Sequence, residues 1–359
     1  ISIPFSPDGT FIATGLSNAT IRLWGAKTGQ QIREPLEWRG NESNSTALAY
    51  SHDGQCLVSG HNDGTLRVWD ISTHQMVKDP LKGHFGQVRA VQYSPDGAFI
   101  ASGSEDRILK LWSVSTGNII DIVGHTKAVN SVSFSPSGKR VATACDDWLV
   151  RIYDVDQHDL IIELRGHWAP VQCIQYSPDG LTVASASNDC TIRLWNASTG
   201  DLAMGPLYGH GYHISTLSFS HDGQKLVTSS VDHTIRVWDV ALGECILGPL
   251  YGHNEPVISA VTSYENEAHF ISCSRSRVYI WNIHDGAPTK SNRLRTYDTV
   301  RAVAWFSDGQ HFASAGDDCF IRIWDTQTGQ ESSMRPLVFH EKNVHASVRM
   351  SQGMSKGSR

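Results

Sequence analysis

No stretch of these 359 residues is long and apolar enough to cross a bilayer as a helix, and no charged segment followed by an apolar one opens the chain. Charge is sparse: 18% of residues are charged, against about 25% in an ordinary soluble domain. There is no basic surplus, because 30 Lys and Arg face 36 Asp and Glu for a formal net charge of −6, so no global field gathers nucleic acid or anionic lipid. The seven cysteines, at 56, 145, 173, 190, 245, 273 and 319, are odd in number and never closer than 17 residues. Without a CxxC a zinc ribbon is excluded and a disulfide framework is not expected. They read as free thiols in a reducing compartment. Four Asn-x-Ser/Thr sequons (Asn18, Asn41, Asn44, Asn196) sit in turn-rich contexts and say little about secretion. The chain opens at Ile1, read as the start of a processed chain or an excised fragment. A cytoplasmic protein is expected, with nuclear residence the alternative.

What the sequence does contain is one unit, repeated. Trp24-Gly25, Trp69-Asp70, Trp112-Ser113, Tyr153-Asp154, Trp195-Asn196, Trp238-Asp239, Trp281-Asn282 and Trp324-Asp325 recur at spacings of 45, 43, 41, 42, 43, 43 and 43. A Gly-His pair, at 83-84, 124-125, 166-167, 209-210 and 252-253, stands 28–29 residues before the aromatic. An Asp-Gly pair preceded by Ser-Pro or Ser-His recurs at 8-9, 53-54, 96-97, 179-180 and 222-223. Three markers in fixed phase are not a chance match.

Between the markers lie short strands rich in β-branched and aromatic residues, such as Gln87–Ser94, Phe99–Gly103 and Ile108–Trp112. Pro95-Asp96-Gly97 supplies turn chemistry between the first two. Each unit is read as four strands, a to d, with helix nearly absent. Pro35, Pro80, Pro206, Pro249 and Pro336 fall in the fourth strand, and proline donates no ladder hydrogen bond, so strand d is expected at the sheet edge. Four-stranded sheets repeated radially make a β-propeller. The expected fold is all-β, an eight-bladed propeller over residues 1–340, with 341–359 as a closing strand (Val344–Met350) and polar tail; the alternative is seven blades plus an extra repeat.

These Gly-His, Asp and Trp-Asp elements make the chain resemble the WD-repeat (WD40) propeller family along its whole length. The Pro-Leu-Tyr-Gly-His runs at 206–210 and 249–253 are more weakly similar to repeats of fungal NACHT–WD proteins. The resemblance implies a buried hydrogen-bonded tetrad per blade: His84, Ser102, Asp106 and Trp112; His167, Ser185, Asp189 and Trp195; His210, Thr228, Asp232 and Trp238. The same residue types make a catalytic triad, but copies at one repeat phase argue for architecture. Departures mark blades expected to be softer or reshaped: Asn18 for Asp, Gly40-Asn41 and Arg295-Thr296 for Gly-His, Tyr153 for Trp, and no Asp in the seventh repeat.

Searches for GxxxxGK[ST], GxGxxG after a strand, GxSxG and HExxH find nothing, so no catalytic, cofactor or metal site is expected. Function should sit where residues break the repeat. Trp148, Trp168, Phe85 and Tyr212 fall in b–c or d–a turns, which share one end of the blade and which the resemblance names the top, partner-binding face. Residues 275–301 carry a net +4, with Arg275, Arg295 and Arg301 placed in top-end turns. Elsewhere the top face is acidic, with Glu105, Asp146 and Asp317 beside the tetrad Asp positions. The reading is a non-enzymatic interaction scaffold for a protein or peptide segment, acidic or phosphorylated, and not for membrane or nucleic acid. The alternative is a small-ligand or glycan-binding propeller with repeated inter-blade sites.

Overall fold

The structure, a computed structural model, describes residues 4, 6–15, 20–25, 31–37, 43–263, 269–288, 294–295, 300–306, 309–316, 320–331 and 337–338. Among them there is no helix. The molecule is an all-β propeller with seven four-stranded antiparallel blades, one from each of repeats two to eight. The third is typical: Val88–Tyr93, Phe99–Ser104, Leu109–Ser113 and Ile119–Ile122 pair in sequence order, so strand d is an edge. Pro206 and Pro249 lie in such edge strands, Leu202–Leu207 and Cys245–Leu250, where a missing N–H breaks no ladder.

The first repeat departs from the expected eight full blades. Its described residues form a two-stranded ladder, Phe11–Gly15 with Ile21–Gly25, and isolated bridges from Ile21 to Leu36 and from Trp24 to Gln31 extend it outwards. The shortfall is local: of residues 1–5, which precede this ladder, only Pro4 is described, its carbonyl accepting from Ala13 N–H at 3.1 Å. The count of complete sheets is therefore that of the seven-blade alternative with an additional repeat. Residues 341–359 and the Val344–Met350 strand lie outside the described residues.

The core is a series of layers between consecutive sheets. Leu164, Val171, Ile174, Val183 and Trp195 fill one such layer between repeats four and five. Another joins Ile12 and Trp24 of the first repeat to Phe306, Ala313 and Ile323 of the eighth. Both faces of the inner strands meet such layers, so strands b and c, as in Phe99–Ser104 and Leu109–Ser113, are buried along nearly their whole length without alternation.

Two features position the surface. The turns segregate: b–c turns bond d–a turns at one end (Glu105 N–H to Gln87 O, Asn188 N–H to Pro170 O, both 2.9 Å), and a–b turns bond c–d turns at the other (Val114 N–H to Ala98 O, 2.9 Å). The a–b ladder of each complete blade also shifts register at its second residue, as between Val88 and Ala90 and between Val300 and Ala302. Such bulges re-aim the extra side chain, here Thr46, Arg89, Asn130, Gln172, Ser215, Ile258 or Arg301, near the turn end.

Candidate functional site

The tetrads form with the residues the sequence marks. Trp195 Nε1–H donates to Ser185 Oγ at 2.9 Å, and Ser185 Oγ lies 2.8 Å from His167 Nε2. An indole can only donate, so the hydroxyl donates its own hydrogen bond to Nε2, and Nδ1–H is left to bond Asp189 at 2.7 Å. His84–Ser102–Asp106–Trp112 repeats this with distances of 2.7–2.8 Å, and His210–Thr228–Asp232–Trp238 with 2.8–2.9 Å. Burial alone would raise the Asp189 carboxyl, but the hydrogen bond and charge of His167, with bonds from Thr191, bring it down to about 2. At Gly83, Gly166 and Gly252 the glycine makes room for the indole: a Cβ on Gly166 would meet Trp195 at 3.1 Å and Arg193 at 2.9 Å.

The same carboxylates reach outwards. Asp106 accepts the backbone N–H of Phe85 at 3.0 Å, Asp189 that of Trp168 at 3.2 Å, and Asp232 that of Gly211 at 2.8 Å. Each scaffold Asp thus clamps the turn that presents an aromatic side chain. Those side chains are exposed: Phe85 by 94%, Tyr212 by 58%, Trp168 by 50% and Trp148 by 45%. Trp148 has a positive φ of 76°, and its ring lies 6.0 Å from Lys127 Nζ. Trp168 stacks on the Arg193 guanidinium at 5.8 Å, and Arg193 stacks on Trp195 at the same distance, a cation between a surface ring and a core ring.

The electrostatic expectations fare unevenly. Arg275 is exposed in the b–c turn of the seventh repeat, where its carbonyl accepts from Val300 N–H. Arg301 is exposed too, but it is the bulge residue of strand Val300–Trp305 and not part of a turn. Arg295 falls in the short strand Leu294–Arg295, with its side chain outside the described residues, as is Asp317. Glu105 and Asp146 are not a bare acidic rim: Arg89 bridges them at 2.9 and 3.3 Å and also bonds Asn130.

Comparison with known proteins now decides the family. The family model for the WD domain, G-beta repeat, matches residues 1–25, 32–70, 75–113, 117–154, 158–196, 203–239, 243–282 and 289–325. The chain belongs to the WD40 family. Among solved structures, the chain is similar to the crystal structure of the computationally designed Ika8 protein, at 25% identity and a TM-score of 0.78, covering 90% of this chain and 95% of that one. WD40 propellers are generally protein-interaction scaffolds without enzymatic activity.

Within this WD40 chain three repeats depart from the pattern, and in two of them residues that sequence reasoning missed repair the departure. In the second repeat, His61 comes from strand b itself and puts Nε2 2.8 Å from Ser59 Oγ, which also accepts Trp69 Nε1–H at 3.0 Å. In the seventh, His253 joins Ser272 at 2.7 Å and Ser274 at 2.8 Å, while Glu255 reaches over from the d–a turn to accept Ser276 N–H at 3.1 Å. Those blades are therefore braced, though by different groups. The fourth is the exception among these. Tyr153 OH stands 3.4 Å from His125 Nε2, Asp147 pairs with Arg151 at 3.0 Å, and His125 Nδ1 is buried with no partner.

Proposed function

We propose that this WD40 chain is a non-enzymatic scaffold that takes a protein or peptide segment on the end of the ring where b–c and d–a turns meet. The carrying observation is that Phe85, Trp148, Trp168 and Tyr212 are exposed on turns of four consecutive repeats while three of the turn backbones are fixed by tetrad carboxylates. Large aromatic side chains on a rigid frame suit binding, because little conformational freedom remains to be lost. The first repeat acts as an eighth blade: its apolar residues pack against both the second repeat and the eighth, which supports a closed ring of eight units. Arg275 and Arg301, exposed on the seventh and eighth repeats, take the acidic or phosphorylated part of the segment. Cytoplasmic residence fits the free thiols of Cys56, Cys145, Cys173, Cys190, Cys245 and Cys273.

The test is a displayed library of extended peptides selected against the whole chain, followed by calorimetry of the binders. One site per chain, mutual competition, and loss of binding in Trp148→Ala/Trp168→Ala with an unchanged far-UV spectrum are expected. Binders that persist undiminished on that variant place the site elsewhere.

A further inference from the structure

The opposite end of the ring carries a different irregularity. Five a–b turns hold a carboxylate that closes the turn on itself: Asp8, Asp53, Asp96, Asp179 and Asp222 each accept the hydroxyl of the Ser two residues before at 2.5–2.6 Å. Each also accepts the backbone N–H two residues after, at 2.9–3.0 Å. In the fourth repeat the turn reads Ser135-Pro136-Ser137-Gly138, and Ser137 stands where the Asp should be. Its hydroxyl is a weak substitute, 3.4 Å from Lys139 N and 3.1 Å from Ser135 Oγ.

A cleft of about 240 Å³ opens between this turn and the fifth repeat, and Ser137, Lys139, Arg140, Tyr176 and Asp179 line it. Lys139 is exposed and forms no ion pair among the described residues, and neither does Arg140, whose one side-chain hydrogen bond is to Ala197 O at 2.7 Å. Tyr176 is 5% exposed, yet its hydroxyl has no hydrogen-bond partner. Asp179, the one carboxylate lining the cleft, is spent on its own turn, accepting Ser177 Oγ–H and Leu181 N–H. Tyr50 and Tyr93 end their strands like Tyr176, but the preceding repeat's turn sets Asp8 beside the first and Asp53 beside the second, whereas Arg140 acts on Tyr176. Among these three tyrosines, Tyr176 alone has a cation and not a carboxylate acting on it from the neighbouring turn.

We propose that this cleft is a phosphate-group site, in which the anion replaces the missing carboxylate and is held by Lys139, Arg140 and the hydroxyl of Ser137. Two cations and an exposed hydroxyl around one space suit a tetrahedral dianion, which accepts several charge-assisted bonds at once. The group can arrive on a separate molecule or on Ser137 itself, which is exposed. In the second case the γ-phosphoryl of a nucleoside triphosphate passes to Ser137 Oγ, the hydroxyl proton leaves to base, and the diphosphate is released.

The experiment titrates the full chain with inorganic phosphate at constant ionic strength and follows its thermal midpoint. Wild type should show a saturable rise with millimolar affinity, weakened at least tenfold in Lys139→Gln and in Ser137→Asp. Ser137→Asp should also melt higher than wild type without phosphate, because it restores the carboxylate of the sister turns. Equal phosphate responses in wild type and both variants, which are what general exclusion of phosphate from protein surfaces gives, overturn the site. A chain carrying phosphoserine at 137 separates the sources. If it melts above wild type and no longer responds to phosphate, the cleft fits the modified side chain; if it melts below wild type while wild type still binds, the group belongs to a separate molecule.

Discussion

Replacing Trp195 by alanine tests the division between scaffold and site. The side chain is 3% exposed and sits in the layer between the fourth and fifth repeats with Leu164, Val171 and Val183. Its removal opens a cavity where packing cannot collapse freely, at about 3–5 kcal/mol. It also strips Ser185 Oγ of its indole donor, so the chain through His167 to Asp189 loses its first member, at about 1 kcal/mol more. Trp195→Phe keeps most of the volume and loses the donor, which separates the two parts. Trp148→Ala, by contrast, removes a side chain that is 45% exposed and should cost under about 1 kcal/mol. Denaturant unfolding followed by tryptophan-independent far-UV signal gives each difference. Equal losses for Trp195→Ala and Trp148→Ala would falsify the assignment of one ring to the frame and the other to the surface.

Acid should loosen the ring well before the carboxylates titrate. Burial, helped by Arg67, Arg151 and Arg277 respectively, pushes His61 and His125 from 6.5 down to about 4 and His253 to about 3. The unfolded chain therefore binds these protons first: stability is full above pH about 6.5 and falls as pH drops towards 4, by up to about 3 kcal/mol for each such group. A thermal midpoint that stays flat from pH 7 to pH 5 sinks this account. At the top face, Trp148 holds a left-handed φ of 76°, so Trp148→Gly should be at least as stable as Trp148→Ala, the reverse of the usual order. Gly64, with φ of 78° at the same turn position of the second repeat, is the counterpart: a Cβ there meets His84 O at 2.3 Å, and Gly64→Ala should cost more than 1 kcal/mol on the order of a strained turn. Charge reversal of Arg275 and Arg301 together should abolish binding of acidic segments at low salt with the fold unchanged; undiminished affinity in that double variant removes the arginines from the site.

Much of the fold was legible because each marker reports a local necessity. Gly166 is needed where an indole lies against the backbone, the Asp of Ser-Pro-Asp-Gly where a turn must close on itself, and proline in strand d where a ladder ends. These are short-range demands, and a repeat displays them several times over. Compensation was not legible, because it comes from residues with no fixed place in the repeat. His61 does the work of a d–a histidine from two residues beyond Ser59, and Glu255 ties the turns of the seventh repeat from the side opposite to the usual Asp. A sequence search that looks for a residue type at one phase reports both blades as defective.

The candidate site divides along the same line. Trp148 and Trp168 could be picked out because they break the Trp-Asp phase of the repeat, in turns whose backbones Asp147 and Asp189 already bond. The bulge residues could not, since a bulge is a property of two strands and its extra residue bears no common chemistry: Thr46, Arg89, Asn130 and Ile258 share a position and nothing else. Arg301 accordingly lies in a strand and not in the turn that its place in the repeat suggests, and the acidic pair Glu105 and Asp146 is spanned by Arg89. The net field of the top face is set by which bulge residues meet which b–c turns across neighbouring repeats. Where the bulge supplies an arginine beside two carboxylates the charge is cancelled. In the seventh repeat the b–c turn carries Arg275 where the fourth carries Asp146, so two exposed arginines, Arg275 and Arg301, fall on neighbouring repeats. On the proposed reading, the anionic part of a bound segment is expected at the seventh and eighth repeats and its aromatic or aliphatic part at the third through sixth.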